Sequence, residues 1–284
     1  MPYVTTDDQV RLHYEETGSG FPLLFIHEFA GDHRSWEPQV RYFSRHYRCI
    51  VYAARGYPPS DVPKKLEQYS QARAVADALA VLTGLGVDRT HVVGLSMGGY
   101  CALHLALHHP ALVRSVVIAG CGYGSEPDKQ AEFRANCAAA AERFERLPIA
   151  EAAKIYADVP ARWPLRDKDP LGWAEFCARL AEHDPQGSAL TLRGVQMRRP
   201  SIWDLAAQMR QARMPALIVT GDRDEHCIAP GVKMRAEMPN AGLLVLPHGG
   251  HAINLEEPDW FNRALAEFFL AAEQGRWGGA QPGA

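Results

Sequence analysis

Thr90–Tyr100 reads T-H-V-V-G-L-S-M-G-G-Y. His91-Val92-Val93 is a short, mostly apolar, β-branched run of the kind buried in a parallel sheet. From Tyr100 to Leu107 the chain is rich in alanine and leucine, which predicts a helix. Between them Gly94, Ser96 and Gly98 complete the pattern G-x-S-x-G, and strand, sharp turn, helix is the setting in which that pattern presents a hydroxyl. The requirement is steric. A serine at the tip of a strained turn fits only between small neighbours, so Gly94 and Gly98 mark where backbone passes close by. The free N–H groups of the first helical turn point at any negative charge developing beside Ser96.

Outward from this turn the chain alternates strands and helices. Phe21–His27, Tyr47–Tyr52, Leu112–Ile118, Met214–Thr220 and Gly242–Leu246 are apolar runs of strand length. Residues 2–6 and 9–16 predict a hairpin turning at Asp7-Asp8. Ser70–Leu82 carries apolar residues at 72, 75, 76, 79 and 82, the stripe of a helix lying on a sheet, with Ser70 as N-cap. Trp36–His46, Ser201–Met209, Pro230–Met238 and Asp259–Ala272 are the other expected helices of this part. Such alternation predicts an α/β body with a mostly parallel sheet. Beyond Cys121 the character changes. Lys129–Leu147, Ile149–Asp158 and Gly172–His183 are helical stretches punctuated by prolines 148, 160, 164, 170 and 185. The expected organisation is a body of residues 1–122 and 200–274, a helical cap of residues 123–199, and a disordered Gly/Pro-rich tail over 275–284.

Three further segments join the turn in one resemblance. His27-Glu28-Phe29 follows the Phe21–His27 strand, Gly221-Asp222-Arg223-Asp224 follows the Met214–Thr220 strand, and Gly250-His251 precedes Glu256-Glu257-Pro258. With Ser96 in its turn, this order resembles the α/β-hydrolase superfamily in its lidded, carboxylesterase-like form. The resemblance implies an eight-stranded, mostly parallel sheet flanked by helices, with an inserted helical cap. It implies Ser96 as nucleophile, Asp224 as the acid with Asp222 as the alternative, and His251 as the base with His248 as the competitor. It implies an oxyanion hole from the backbone N–H groups of Phe29 and Met97. Arg55-Gly56-Tyr57-Pro58-Pro59-Ser60-Asp61 resembles the family's Arg-Gly-x-Gly-x-Ser turn, with Pro58 in place of the second glycine.

One residue departs from the family pattern. Glu28 stands where glycine is usual, and a carboxylate there opposes an oxyanion unless it points away or is paired. His33 and Arg34 are the partners nearest in sequence. In the cap, Tyr156, Trp163, Trp173 and Phe176 are candidates to line the substrate pocket with Glu28. Arg162, Arg166, Arg193, Arg198 and Arg199 raise the prospect of a carboxylate-bearing substrate. The expected reaction is cleavage of a small or medium carboxylic ester, lactone or thioester through an acyl-enzyme. Serine at 96 argues against the epoxide- and halide-cleaving relatives, which use aspartate there. Carbon–carbon bond hydrolysis stays open, as does a receptor-like or cofactor-free oxygen-using role.

Composition bounds the rest. Thirty basic against thirty-three acidic residues give a formal charge of −3, so neither nucleic acid nor an anionic membrane is an expected partner. A small-molecule substrate is, and both monomer and homodimer remain open. Six cysteines at 49, 101, 121, 137, 177 and 227 have no C-x-x-C spacing and read as buried thiols. His27-Glu28 begins like H-E-x-x-H, but Gly31 fills the second histidine position, and no metal or other cofactor is expected. His104 and His108, four apart on a helix, read as groove histidines. The opening MPYVTTDDQV lacks a basic segment followed by an apolar one, and no run approaches the ~20 apolar residues of a membrane span. The cytoplasm is the expected compartment.

Overall fold

Eight strands form one sheet in the computed structural model, which describes residues 2–278. They are β1 (Tyr3–Thr5), β2 (Arg11–Thr17), β3 (Phe21–Ile26), β4 (Tyr47–Tyr52), β5 (Thr90–Leu95), β6 (Val113–Ala119), β7 (Ala216–Gly221) and β8 (Ala241–Leu246). The order is β1-β2-β4-β3-β5-β6-β7-β8. β2 runs antiparallel to β1 and β4, and the other pairs are parallel. The hairpin and the parallel body expected from the sequence are both present.

Alternation of side chains across the central strands creates two apolar layers. Val92, Ile118 and Ile218 face the helices Gln71–Gly84 and Met97–His108 on one side. Phe25, Val93, Val117 and Val219 face Trp36, Phe43, Phe261, Phe268 and Phe269 on the other. Ser70 caps its helix as expected, accepting from the Arg73 N–H at 3.1 Å. A third cluster lies over the C-terminal ends of the strands. There the helices Gln130–Arg146, Ile149–Ala157 and Pro170–Leu180, inserted between β6 and β7, pack on Phe29, Tyr57 and Met97 of the body.

The structure corrects three boundaries. The helix expected from Pro230 starts at Glu225, with Pro230 inside it. The helix expected over Ser201–Met209 is confined to Ala206–Met209, because Ser201 and Asp204 close a local turn, Ser201 N–H donating to the Asp204 carboxylate at 3.1 Å. The start of the expected tail is ordered: Trp277 packs edge-on to Phe268 at 4.6 Å, and its indole N–H donates to Asn240 O at 3.0 Å. Residues 279–284 of that tail lie outside the described residues. All six cysteines are free thiols, and Cys177 alone among them is only half-buried. No helix among the described residues is long and apolar enough to cross a membrane.

Burial sets the acid sensitivity of this core. His104 is buried in the Met97–His108 helix with its Nε2 unpartnered and its ring stacked on His108. Burial, then the neighbouring His108 and Arg199, lower its pKa to about 4. The unfolded chain therefore takes up this proton more readily than the fold, and stability is lost as pH falls from 6.5 towards 4. His104→Leu removes that loss. Its gain in stability over wild type should be about 2 kcal/mol larger at pH 5 than at pH 8. Urea denaturation at the two pH values checks this, and an equal gain at both would show that His104 is not held neutral by the fold.

Candidate active site

Ser96 joins the end of β5 to the Met97–His108 helix at φ 55°, ψ −111°, in a region that residues with a Cβ rarely enter. Its N–H donates to Ala119 O at 2.8 Å and its C=O accepts from Tyr100 N–H at 3.0 Å, so the strained turn is pinned at both ends. A Cβ on Gly94 would lie 2.1 Å from Gly98 O, and one on Gly98 would lie 2.0 Å from Ile26 O. Only glycine fits at either place. Ser96 is half-buried between fully buried neighbours, and among the described residues its Oγ hydrogen-bonds to nothing.

Asp224 immediately precedes the Glu225–Glu237 helix and lies almost fully buried. Its Oδ2 is 2.7 Å from His251 Nδ1. Of the sequence alternatives, Asp224 and His251 are the pair that meet. His248 is exposed, with Arg223 Nη2 3.5 Å from its Nδ1, and Asp222 sits beside Arg223 at the surface. Burial works against a charge on His251, but the Asp224 carboxylate outweighs it and raises the pKa above the usual 6.5. Burial likewise opposes charge on Asp224, and the facing imidazole holds its pKa below the ordinary range. The Glu256 carboxylate braces the histidine loop, both oxygens accepting from Gly250 N–H at 2.9 Å.

The third element follows β3. His27 Nε2 accepts from Ala54 N–H at 3.0 Å, which leaves the proton on Nδ1, donated to Glu28 O at 2.7 Å. Tyr57 OH donates to Phe29 O at 3.1 Å. Phe29 and Met97 are both buried, yet among the described residues neither backbone N–H has a protein acceptor. Two such donors beside Ser96 suit a developing oxyanion.

Glu28 is the residue the structure explains best. It does not pair with His33 or Arg34, as its sequence neighbours suggested. Arg34 is taken by Asp32 and Glu182, and His33 lies 3.5 Å from Glu15. Its partner is Arg162 of the cap, which donates from Nη1 at 2.9 Å and from Nη2 at 2.5 Å in a two-pronged, buried ion pair. Burial alone would raise the Glu28 pKa; the guanidinium reverses that and holds it below the ordinary range. Glu28 Oε2 is also 3.8 Å from His251 Nε2. One residue along, Ala161 O accepts from His251 N–H at 2.7 Å.

The sequence model of the alpha/beta hydrolase fold matches residues 22–258. The chain belongs to this family. Among curated relatives it is 27% identical to the "putative carbamate hydrolase RutD" of Agrobacterium fabrum, over 93% of this chain and 100% of that one. Among solved structures, a hydrolase from Pseudomonas aeruginosa PA01 is 26% identical with a TM-score of 0.82, covering 94% of this chain and 97% of that one. Est816, described as an N-acyl homoserine lactone degrading enzyme, is 28% identical with a TM-score of 0.75, covering 94% and 100%.

Within this family frame, the candidate pocket residues divide. Tyr156 is half-buried, its ring 4.8 Å from that of Phe29. Trp173 stacks on Phe176 within the cap. Trp163 is turned outward, 40% exposed, its indole N–H held by Asp158 at 2.8 Å. Arg162 and Arg193 are neutralised by Glu28 and Glu145, and Arg166 lies beside Asp167. Arg199 lies over the Tyr100 ring at 3.8 Å. What the sequence reading missed is the Arg162 partnership, because its two members are 134 residues apart. The signal available was chemical: a carboxylate among apolar residues demands a cation.

Removing one member of the pair should show this. Arg162→Met leaves Glu28 charged and unpaired in the interior and should cost about 3–5 kcal/mol, whereas Glu28→Gln with Arg162→Met should recover most of it. Equilibrium urea unfolding measures both; a single variant as stable as wild type would mean the two charges are solvated.

Proposed function

We propose that this alpha/beta hydrolase is a serine hydrolase cleaving a small or medium carboxylic ester, lactone or thioester through an acyl-enzyme. Hydrolysis is the general activity that the family and the curated relatives support. The observation that carries the finer reading is the 2.7 Å contact between His251 Nδ1 and Asp224. It fixes the Nδ1–H tautomer, so Nε2 carries the free lone pair and can act as base.

Ser96 Oγ attacks the substrate carbonyl as His251 Nε2 takes its proton, and Asp224 stabilises the imidazolium that forms. The N–H groups of Phe29 and Met97 receive the oxyanion, each contributing about 3 kcal/mol by analogy with other acyl-transfer sites. His251 then protonates the leaving group and activates the water that releases the acid. Tyr156 and Phe29 offer the acyl or alcohol group an apolar wall. The helices of residues 123–199 act as the substrate lid. A soluble small-molecule enzyme of the cytoplasm, with neither nucleic acid nor membrane as partner, is the setting this reading implies. That Ser96, Asp224 and His251 come in the family's chain order, and that a relative is described as degrading a lactone, both favour it.

A second reading has one observation behind it. Glu28 Oε2, 3.8 Å from His251 Nε2, stabilises the imidazolium before substrate arrives and would suit a receptor-like or oxygen-using member with slow ester turnover. A fluorophosphonate probe with a panel of p-nitrophenyl esters separates the two. Labelling of Ser96 with many turnovers is the expected result, and Ser96→Ala should lower kcat at least a thousandfold in a folded protein. Oxygen consumption, or ester binding without turnover, would sink the hydrolase assignment.

The pH profile gives an independent check. Because His251 must be neutral to act, kcat/KM should rise with pH through a value above 6.5. Glu28→Gln removes a negative charge from beside Nε2 and leaves Arg162 unpaired. Both changes disfavour the imidazolium, so the acid limb should move to lower pH. A limb that stays put would place Glu28 outside the electrostatic reach of His251.

A further inference from the structure

We propose that His13, Glu15 and His33 form a binding site for one divalent zinc-class cation, at the edge of the sheet where β2 meets the turn after β3. His13 and Glu15 are two apart on β2 and so share a face of the strand. His33 opens the single turn His33–Trp36. The two imidazoles meet edge to face with centroids 5.0 Å apart, and His33 Nε2 is 3.5 Å from Glu15 Oε1. One ligand atom from each of the three side chains lies within 4.8 Å of the other two.

Two features separate this cluster from an incidental surface group. Both histidines are under a tenth exposed, and Nδ1 of each is buried with no hydrogen-bond partner. On His13 that unpartnered nitrogen costs free energy that a ligand removes. Two imidazole nitrogens and one carboxylate oxygen, with a fourth position left for water, is a donor set that suits zinc. Tetrahedral ligands about 2.1 Å from zinc stand about 3.4 Å apart, so the cluster must draw in by about an ångström. Glu15 is exposed and can rotate inward, which makes it both the closing arm and the way in. Asp32 Oδ1 lies 3.9 Å from His33 Nδ1 and can orient that ring from behind.

A cation here would brace the turn that follows Glu28 and Phe29. Asp224, Cys227 and His251 are the other group whose ligand atoms converge. They belong to the candidate active site and supply the control. Untagged, chelator-stripped protein is titrated with zinc chloride by calorimetry, and its melting temperature is followed in parallel. The expected result is one equivalent bound with a higher melting temperature. Glu15→Gln and His33→Ala should each weaken binding at least tenfold, and His251→Ala should leave it unchanged. Glu15 is exposed, so Glu15→Gln decides the matter even if His33→Ala fails to fold. Undiminished binding in Glu15→Gln, loss of binding in His251→Ala, or no heat and no shift at millimolar zinc would each overturn the proposal.

Discussion

The ion pair between Glu28 and Arg162 ties the segment after β3 to the helical segment inserted between β6 and β7. Each charge is removed from water, and each would be intolerable alone. The two-pronged geometry matches two N–H donors to two carboxylate oxygens, so the compensation is directional as well as electrostatic. Arg162 is held flat by the Phe176 ring at 5.1 Å. With Ala161 O on the His251 N–H, two consecutive cap residues fix both the segment after β3 and the histidine loop. Separating the two segments would require water to solvate both charges together.

That pairing also answers the objection to a carboxylate beside an oxyanion. With His251 neutral, Asp224, Glu28 and Arg162 sum to one negative charge. In the proposed reaction, the proton passes from Ser96 to His251 as the oxyanion forms, so imidazolium and oxyanion cancel and the sum is unchanged. Glu28 and Arg162 together add nothing to the net charge at any stage. What they add is a local field: the guanidinium opposes the imidazolium and the carboxylate favours it.

The sequence made the body legible because its signals are local. Thr90–Tyr100 contains its own strand, strained turn and helix, and Tyr47–Tyr52 is recovered residue for residue as β4. The Asp224 and His251 loops were legible by their order along the chain, although their pairing is an outcome of folding. Long-range chemistry was not legible. Arg162 looked like one of five cap arginines, and only the fold singles it out. His13, Glu15 and His33 have no motif spacing, since a strand and a turn bring them together. Pro230 misled for a different reason: proline favours a first helical turn, yet here the preceding turn is built by Glu225–Ala229. Trp277 was hidden in a Gly/Pro-rich context that says nothing of the groove it fills.

The protein holds a second grouping of serine, histidine and carboxylate, and it contrasts with the one near Ser96. His91 Nδ1 lies 2.6 Å from Ser115 Oγ, and its Nε2 lies 3.2 Å from Glu273. The residue types match those of a catalytic triad and the contacts are good. Yet Ser115 sits in the middle of β6 with no exposure, its backbone groups used by the sheet. Burial lowers the His91 pKa to about 4, so the ring is poor at taking a proton. That set ties the Pro258–Glu273 helix to the sheet. The surroundings of Ser96 differ in three physical respects: its backbone has a positive φ, two buried N–H groups beside it lack acceptors, and the histidine of the candidate site, His251, has a raised pKa. Side chains of both donor residues, Phe29 and Met97, are anchored in the cap's apolar cluster. The backbone N–H groups of these two residues are thus held in place by that packing.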